Sequence, residues 1–476
     1  MKSGTEWIWR SRQAVEVRDN RSRFALTAIA AVMLLVLVAC GDGASPSVPN
    51  TSRHGGGDRS LKEAHTIGGS INGLSASGLV LLDNGADMLR VAKDATKFIF
   101  AMPLAPGSSY DVSIGDHPYG QYCSVSSHSG VAAVDITSVA VNCGDWDSAH
   151  AMVITVAGSA TAGNIDGAGA TALFNLPFDI AVDASGNAYV TDSGNYQIRK
   201  ISPAGVVSTL AGSGTKGSAD GIGGAASFDA LNGVAVDAIG NVYVTDGNKI
   251  RRISSSGVVS TLAGGATSGN ADGMGAQASF NTPLKLAVDR SGNVYVADTA
   301  NDAIRKLSPA GVVSTFATGV TAGRADGIGE AAPFHGPLGI VVDMDGNVYV
   351  GDNKNHRIRK ITPAGVVSTF TGSGTTGSGA GTGAASFPFP LGLAIDAAGN
   401  VYVADGGLMY RNVVRKITSS GVVSTLAGGG ATAPNADGVG THASFKGPTG
   451  LAVDAKGNVY VADALNNEIR KITRTR

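Results

Sequence analysis

Hydrophobic and polar residues alternate along residues 151–476, with Val, Ile or Tyr at every second position and Gly or Asn between the runs. Segments such as Asn-Val-Tyr-Val, Ile-Arg-Lys-Ile and Gly-Val-Val-Ser-Thr-Leu recur in this order. A period of two that is interrupted by turn residues predicts β-strands. Each recurrence therefore predicts four short antiparallel strands, and this part of the chain is predicted to be all-β.

The recurrence has a regular period. Gly-Asn-x-Tyr-Val-x-Asp occurs six times, beginning at residues 186, 240, 292, 346, 399 and 457, so that successive copies lie 52 to 58 residues apart. A unit of four short antiparallel strands at this spacing is typical of a propeller blade. The sequence predicts a β-propeller of six such units over residues 151–476.

The two ends of the repeat region complement each other. The last unit stops after its third strand, at Ile472, and its fourth strand is missing. Residues 153–158, which precede the first complete unit, match the fourth strand of the other units. We therefore expect strand 153–158 to complete the sixth unit and close the ring without a free sheet edge.

Residues 66–144 contain about seven short hydrophobic runs separated by turn residues, which predicts a small β-sandwich. Cys123 and Cys143 lie in this segment, and a disulfide between them would add about 3 kcal/mol of stability in the loop-entropy model. A reduced, buried pair is the alternative. The cysteines do not form a CxxC pair, which argues against a structural zinc site.

The first 65 residues have a different character. Several arginines precede an uncharged apolar run from Phe24 to Ala39, the pattern of an export signal over residues 1–39. This run is shorter than the roughly 20 residues that a membrane-spanning helix needs. Residues 40–65 are rich in Gly, Ser, Asn and Pro and are predicted to be a flexible linker.

Composition excludes several classes of protein. Glycine accounts for 68 of the 476 residues, but 43% of the chain is apolar, so neither collagen nor a disordered chain fits. Charged residues make up 15%, and the net charge is −1. This balance gives no general attraction to nucleic acid, which is not expected as a partner.

Polar residues that occur once per unit are predicted to be structural, because a single site does not need six copies. Each Val-Tyr-Val-x-Asp segment ends in an aspartate that can cap the following loop, and each third strand carries an arginine within reach of a carboxylate. The aspartates are Asp192, Asp246, Asp298, Asp352, Asp405 and Asp463, and the arginines are Arg199, Arg251, Arg305, Arg359, Arg415 and Arg470.

Candidate ligand-binding residues are those at which the units differ. One group is in the lengthened loop of the fifth unit: Met409, Tyr410 and Arg411. A second group follows the Phe of each inter-unit loop: Asn175, Asp229, Asn281, His335, Pro388 and Lys446. A third replaces the usual glycine of the first strand: Asp179 and Lys285.

The second and third groups are predicted to converge near the propeller axis, where oxygen and nitrogen ligands from several blades can hold a small polar ligand or a metal. The alternative is that the residues after Phe are turn residues. No cofactor is predicted, with a divalent metal on the axis left as an open alternative.

Three resemblances extend this interpretation. Residues 339–361, GIVVDMDGNVYVGDNKNHRIRKI, and their five counterparts resemble NHL repeats, which implies a six-bladed β-propeller. Leu37-Val38-Ala39-Cys40 resembles a bacterial lipobox, which implies acylation of Cys40 and removal of residues 1–39. The segments GLSASGLVLLDNGADMLRV and FIFAMPLAPGSSYDVSI resemble immunoglobulin-like modules of bacterial surface lipoproteins, for which a spacer role is expected.

These features predict a monomeric binding or scaffold protein whose propeller contacts a protein, glycan or cell-wall partner. It is expected in the cell envelope, with the outer membrane favoured, and on the membrane only through its lipid; a periplasmic or extracellular location is the alternative. The second hypothesis is a metal-dependent lyase or lactonase-like hydrolase, because six-bladed relatives include such enzymes with a metal on the axis. No catalytic residue is evident in the sequence.

Overall fold

The computed structural model describes residues 64–319, 323, 325–329, 331–375, 379–381, 385–406, 412–430 and 435–475. These residues belong to one compact unit, Ala64–Arg476. The predicted signal peptide, Cys40 and nearly all of the predicted linker lie outside them, as do Met409, Tyr410 and Arg411. Within these ranges, no helical segment has the length and apolar character needed to cross a membrane.

The described chain is all-β, as predicted, and its helical segments are three-residue 3-10 turns. These turns are Ser148–His150, Gly169–Thr171, Ser193–Asn195, Gly223–Ala225, Gly275–Gln277, Thr299–Asn301, Asn353–Asn355, Gly440–His442 and Ala464–Asn466.

The N-terminal part forms two four-stranded sheets with the strand orders β4-β1-β8-β6 and β3-β2-β5-β7. The strands are β1 (Ile67–Asn72), β2 (Val80–Asp83), β3 (Asp87–Arg90), β4 (Lys97–Ile99), β5 (Ser109–Asp116), β6 (Gln121–Ser126), β7 (Ser129–Val131) and β8 (Ile136–Asp145). The sheets share one apolar core, in which Ile71 and Val141 of the first sheet pack with Leu81 and Val112 of the second. A disulfide joins Cys123 to Cys143 across β6 and β8, which confirms the predicted pairing.

The repeat region forms six further sheets, which we call blades 1 to 6. Strand β9 (Ala151–Gly158) precedes them in the chain. Blade 1 contains β10 (Gly167–Ala168), β11 (Pro177–Val182), β12 (Ala188–Asp192), β13 (Gln197–Ile201) and β14 (Val206–Ala211). Blade 2 contains β15 (Gly221–Ile222), β16 (Leu231–Val236), β17 (Val242–Asp246), β18 (Lys249–Ile253) and β19 (Val258–Gly264). Blade 3 contains β20 (Gly273–Met274), β21 (Pro283–Val288), β22 (Val294–Asp298), β23 (Ala303–Leu307) and β24 (Val312–Ala317).

Blade 4 contains β25 (Gly327–Ile328), β26 (Pro337–Val342), β27 (Val348–Asp352), β28 (Arg357–Ile361) and β29 (Val366–Thr371). Blade 5 contains β30 (Pro390–Ile395), β31 (Val401–Asp405), β32 (Val413–Ile417) and β33 (Val423–Gly428). Blade 6 contains β34 (Gly438–Val439), β35 (Pro448–Val453), β36 (Val459–Asp463) and β37 (Glu468–Arg474), together with β9.

The blades form a closed β-propeller. The innermost strands β11, β16, β21, β26, β30 and β35 contact one another in sequence, and β35 contacts β11. Strand β9 pairs antiparallel with β37, from Ala151 opposite Arg474 to Gly158 opposite Glu468. The outer strand of blade 6 therefore comes from the N-terminal side of the repeat region, at the place where the sequence predicts it.

The innermost strands approach so closely that two positions require glycine. A β-carbon on Gly233 would lie 2.6 Å from the Leu284 carbonyl oxygen, and one on Gly392 would lie 2.6 Å from the Thr449 carbonyl oxygen. A larger residue at either of these two positions would require the neighbouring backbone to move. This close approach accounts for the glycine that most units carry in their first strand.

Each propeller blade has two distinct ends. The loops between the second and third strands, and those between successive blades, lie at one end, which we call the loop face. The hairpins between the first and second strands, and between the third and fourth strands, lie at the other end, which we call the hairpin face. These definitions follow from the antiparallel strand order of each sheet.

The sandwich docks on the hairpin face through Trp146, which is 1% exposed. Its indole packs in an apolar cluster with Tyr402 of blade 5 and Leu451 of blade 6. The guanidinium of Arg474 lies 4.5 Å from the Trp146 ring and donates hydrogen bonds to the carbonyl oxygens of Gln121 and Pro118, each at 2.9 Å. The sandwich is thus joined to the propeller by a buried interface.

A titratable group lies beside this interface. The imidazole of His117 stacks on Tyr122, and its Nδ1 accepts a hydrogen bond from the Cys123 backbone amide at 3.0 Å. Burial lowers the pKa of His117 to about 4, with the positive charges of Arg474 and His150 acting in the same direction. In the unfolded chain the pKa of a histidine is about 6.5.

We predict that this histidine makes the protein less stable in mild acid. Between pH 6.5 and 4 the unfolded chain takes up a proton on His117 that the folded chain does not. His117 therefore has no effect on the unfolding free energy above pH 6.5 and lowers it increasingly as the pH falls toward 4. His117→Asn retains a hydrogen-bond acceptor without titrating. Thermal unfolding of both proteins from pH 4 to 7 should show a steeper loss for the unsubstituted chain, and equal slopes would contradict the assignment.

Candidate functional site

The buried arginine of each blade organises the polar residues that the sequence repeats. In blade 1 the side chain of Arg199 is fully buried and stacks on Phe174, 5.2 Å from the ring centroid. Its Nη1 contacts Asp192 Oδ2 at 2.8 Å, and its Nη2 contacts Asp166 Oδ1 at 2.6 Å. The carboxylate of Asp166 also accepts hydrogen bonds from the backbone amide and hydroxyl of Thr209 in the outer strand.

The aspartate that ends the second strand of blade 1 binds the following loop, as predicted, but through the side chain of Asn195 and not through a backbone amide. Asp192 makes no side-chain hydrogen bond that caps the following turn. Its Oδ1 accepts a hydrogen bond from the backbone amide of Asn175 at 2.7 Å, and its Oδ2 accepts one from the side-chain amide of Asn195 at 2.8 Å. Burial raises the pKa of Asp192 to about 6 against the effect of these bonds and of Arg199. The aspartate thus connects its strand to the inter-blade loop.

The same arrangement occurs in four further blades. It joins Arg251 to Asp220 and Asp246, Arg305 to Asp272 and Asp298, Arg359 to Asp326 and Asp352, and Arg470 to Asp437 and Asp463. These carboxylates and guanidinium groups bind one another within their blade. The geometry agrees with the prediction that polar residues present once per unit are structural.

Blade 5 departs from this arrangement. Gly379 supplies its carbonyl oxygen to Arg415 Nη2 at 2.7 Å, as the residue before the inter-blade aspartate does in blades 1 and 2. The next residue, Ala380, therefore occupies the position of that aspartate. The distance from Arg415 Nη1 to Asp405 Oδ2 is 3.5 Å, longer than the corresponding contact in the other blades. Arg415 therefore has weaker ionic partners than its five counterparts.

Asp179 and Lys285, the residues that replace glycine in the first strands of blades 1 and 3, contact each other. Lys285 Nζ lies 2.6 Å from Asp179 Oδ1 and donates a further hydrogen bond to the Thr449 carbonyl oxygen of blade 6. Asp179 Oδ2 accepts the Val234 backbone amide of blade 2 at 3.0 Å. The pair thus connects four blades at the centre of the ring.

Burial raises the pKa of Asp179 and lowers the pKa of Lys285, while the contact between the two opposes both changes. The ammonium group of Lys285 lies beside the carboxylate of Asp179. A divalent metal on the axis would need that carboxylate to be free of its counter-charge.

The residues that follow Phe lie on the loop face, each beside the second strand of its own blade. Asn175, Asn281 and His335 each donate a backbone amide to the aspartate that ends the second strand of their own blade. Asp229 forms an exposed ion pair with Lys216 at 3.0 Å. Among the residues that the structure describes, no group of three or more His, Cys, Asp or Glu side chains could hold a metal ion. Ligand binding by these residues remains a prediction.

We predict that the central pair is important for stability. Lys285→Met leaves the buried carboxylate of Asp179 without its counter-charge and should lower the unfolding free energy by about 3–5 kcal/mol. Adding Asp179→Asn, which keeps an acceptor for Val234, should restore part of the loss. Urea unfolding measures both effects.

The exposed Lys216–Asp229 pair provides the control, since both of its side chains are about half exposed. Lys216→Met should change the unfolding free energy by less than about 1 kcal/mol. Equal losses for the central and the exposed pair would show that the central contact does not hold the ring.

The sequence of this chain is similar to several known proteins. The NHL repeat model matches residues 334–361 and 445–472. SUPPRESSOR OF QUENCHING 1 of Arabidopsis thaliana is 30% identical over 276 residues, which cover 53% of this chain and 26% of that protein. NHL repeat-containing protein 2 of Bos taurus is 29% identical over 278 residues, which cover 50% of this chain and 38% of that protein. The chain thus spans well under half the length of these relatives.

Two solved structures resemble both parts of the chain. A Bacteroides thetaiotaomicron protein of unknown function aligns with a TM-score of 0.56 and 18% identity, over 87% of this chain and 99% of that one. An auxiliary nutrient binding protein from Bacteroides ovatus aligns with a TM-score of 0.53 and 16% identity, over the same shares. The chain carries NHL repeats and has the fold of a β-propeller protein.

Proposed function

We propose that this protein is a lipid-anchored binding or scaffold module of the bacterial cell envelope, and that its loop face contacts a protein, glycan or cell-wall partner. The observation that carries the proposal is the docking of the sandwich on the opposite side of the ring. Trp146, Arg474 and Tyr119 all make their contacts at the hairpin face. The loop face, where the units differ most, is then directed away from this interface.

The repeated charged residues form ion pairs within the blades, which supports the same role. Because the arginines and aspartates of the blades bind each other, the variable loop residues carry the differences that a partner can recognise. The similarity in fold to an auxiliary nutrient binding protein is in keeping with a binding role for a molecule built from these two parts. The loop of blade 5 that contains Met409, Tyr410 and Arg411 is the proposed contact, together with Asn281 and His335.

A site-specific photo-crosslinker tests the proposed face. At Lys446, which is exposed on the loop face, it should yield a covalent adduct with an envelope component in intact cells. At Val131, which is 62% exposed on the sandwich, it should not. The readout is a crosslinked band identified by mass spectrometry. Adducts of equal yield from both positions, or none from Lys446, would contradict the assignment of the loop face.

The proposed anchor is tested separately. Cys40→Ser removes the thiol that would be acylated, so the full chain should move from the membrane fraction to the soluble fraction of lysed cells. Cys123→Ser together with Cys143→Ser removes the other two cysteines and should leave the membrane association unchanged. A Cys40→Ser protein that still sediments with membranes would overturn the lipoprotein assignment.

A further inference from the structure

A cleft of about 490 Å³ lies between the sandwich and blade 5 on the hairpin face. Ser77 and Lys93 line it from the sandwich, and Asn400 and Ser419 line it from blade 5. Asp145, at the end of β8, and Tyr119, in the loop that touches the propeller, complete the wall. The cleft has the size of sites that hold small ligands.

The lining is rich in neutral hydrogen-bonding groups. Hydroxyls come from both parts of the molecule, with Ser77 on one side and Thr418 and Ser419 on the other. Lys93 and Asp145 contribute one charge of each sign, so their formal charges balance. This chemistry favours a neutral ligand with many hydroxyl groups over an apolar or strongly charged one.

Tyr119 provides an aromatic surface that is held in place. Its hydroxyl donates a hydrogen bond to the Ala455 carbonyl oxygen of blade 6 at 2.8 Å. A β-carbon on Gly78 of the sandwich or on Gly457 of blade 6 would contact its ring, at 3.5 and 3.3 Å. An aromatic ring fixed among hydroxyl and amide groups suits the weakly polar C–H face of a sugar ring, whose hydroxyls bond to the surrounding polar groups.

The two walls of the cleft are fixed relative to each other. Lys416 of blade 5, which is 2% exposed, donates hydrogen bonds to the carbonyl oxygens of Gly120 and Trp146 at 2.6 and 3.3 Å. Gly120 has a φ of +66° and lies so close to the Asn400 amide that a β-carbon there would clash. A pre-formed cleft loses little conformational entropy when a ligand binds.

The cleft continues into a second cavity. A space of about 320 Å³ at the hairpin-face mouth of the central channel is lined by the ends of the first strands of five blades. Each of these ends carries an aspartate whose carboxylate accepts hydrogen bonds from its own hairpin: Asp183, Asp289, Asp343, Asp396 and Asp454. Tyr119 and Ala397 line both cavities, so the two adjoin at these residues. Tyr119 therefore lies at the junction of the two cavities.

We propose that the cleft binds a neutral oligosaccharide, with its first rings between the sandwich and blade 5 and with Tyr119 contacting the sugar where the chain turns toward the channel mouth. This site lies on the face opposite to the one proposed above for the partner. Either assignment can therefore fail without the other.

The repeats supply a matched pair of variants for the test. Ser419 is exposed in the hairpin Thr418-Ser419-Ser420, and Ser255 is exposed in the identically built hairpin Ser254-Ser255-Ser256 of blade 2. Ser419→Trp places a large side chain in the cleft, whereas Ser255→Trp makes the same change away from it. Both substitutions are at solvent-exposed turns, and the folded state of each variant is checked by thermal unfolding.

The purified protein is applied to an array of neutral α-glucans, β-glucans, xylans and mannans, and the tetrasaccharide of the bound class is then titrated by calorimetry. We expect that Ser419→Trp weakens the affinity at least tenfold and that Ser255→Trp leaves it unchanged. The affinity should change less than about twofold between roughly 0.05 and 0.5 M NaCl, a range of salt over which charged contacts weaken.

Three results would overturn the proposal: no binding to any of the four glycan classes, an equal loss in both tryptophan variants, or a large loss at high salt that indicates a charged ligand. The crosslinking yield from Lys446 is measured in the Ser419→Trp background as well. An unchanged yield there would show that failure of the cleft leaves the proposed loop-face function standing.

Discussion

The structure depends on one interaction that recurs around the ring: a buried arginine that binds two carboxylates. In blade 1, Arg199 connects the third strand to the end of the second strand through Asp192, and to the preceding inter-blade loop through Asp166. Removing a guanidinium from water costs several kcal/mol, so the group is tolerated only where partners of opposite charge meet it in good geometry. This requirement explains why the arginine and its aspartates recur together in the sequence.

The closure of the ring uses the same interaction. In blade 6, Asp437 binds Arg470 and also accepts hydrogen bonds from the backbone amide and hydroxyl of Thr155 in β9. Strand β9 is thus attached both by its pairing with β37 and by Asp437, just as Asp166 binds Thr209 in the outer strand of blade 1. At the centre, the inner strands approach each other closely, and the Asp179–Lys285 pair joins blades 1 and 3. These contacts hold the ring together locally, and the sandwich adds a buried interface to blades 5 and 6.

Much of the fold could be predicted from the sequence because its signals are local or periodic. The alternation within each unit predicts the strands, and the separation of Cys123 and Cys143 within one β-rich segment allowed the disulfide to be predicted. The docking through Trp146 could not be predicted, since a single tryptophan after the last sandwich strand shows no periodicity. The sequence distinguishes Asp179 and Lys285 as departures from glycine, but only the three-dimensional ring shows that they bind each other. The loop-face residues carry no signal for a ligand beyond their variability.

The most direct test of the account adds the missing carboxylate to blade 5. Ala380→Asp should give Arg415 the partner that its counterparts have and should raise the free energy of urea unfolding by about 1 kcal/mol, as expected for a charged hydrogen bond at a partly buried site. Ala380→Asn, which lacks the charge, should give a smaller gain. If Ala380→Asp folds normally but leaves the stability unchanged or lowers it, the repeated arginine and aspartate residues do not hold the blades together as described.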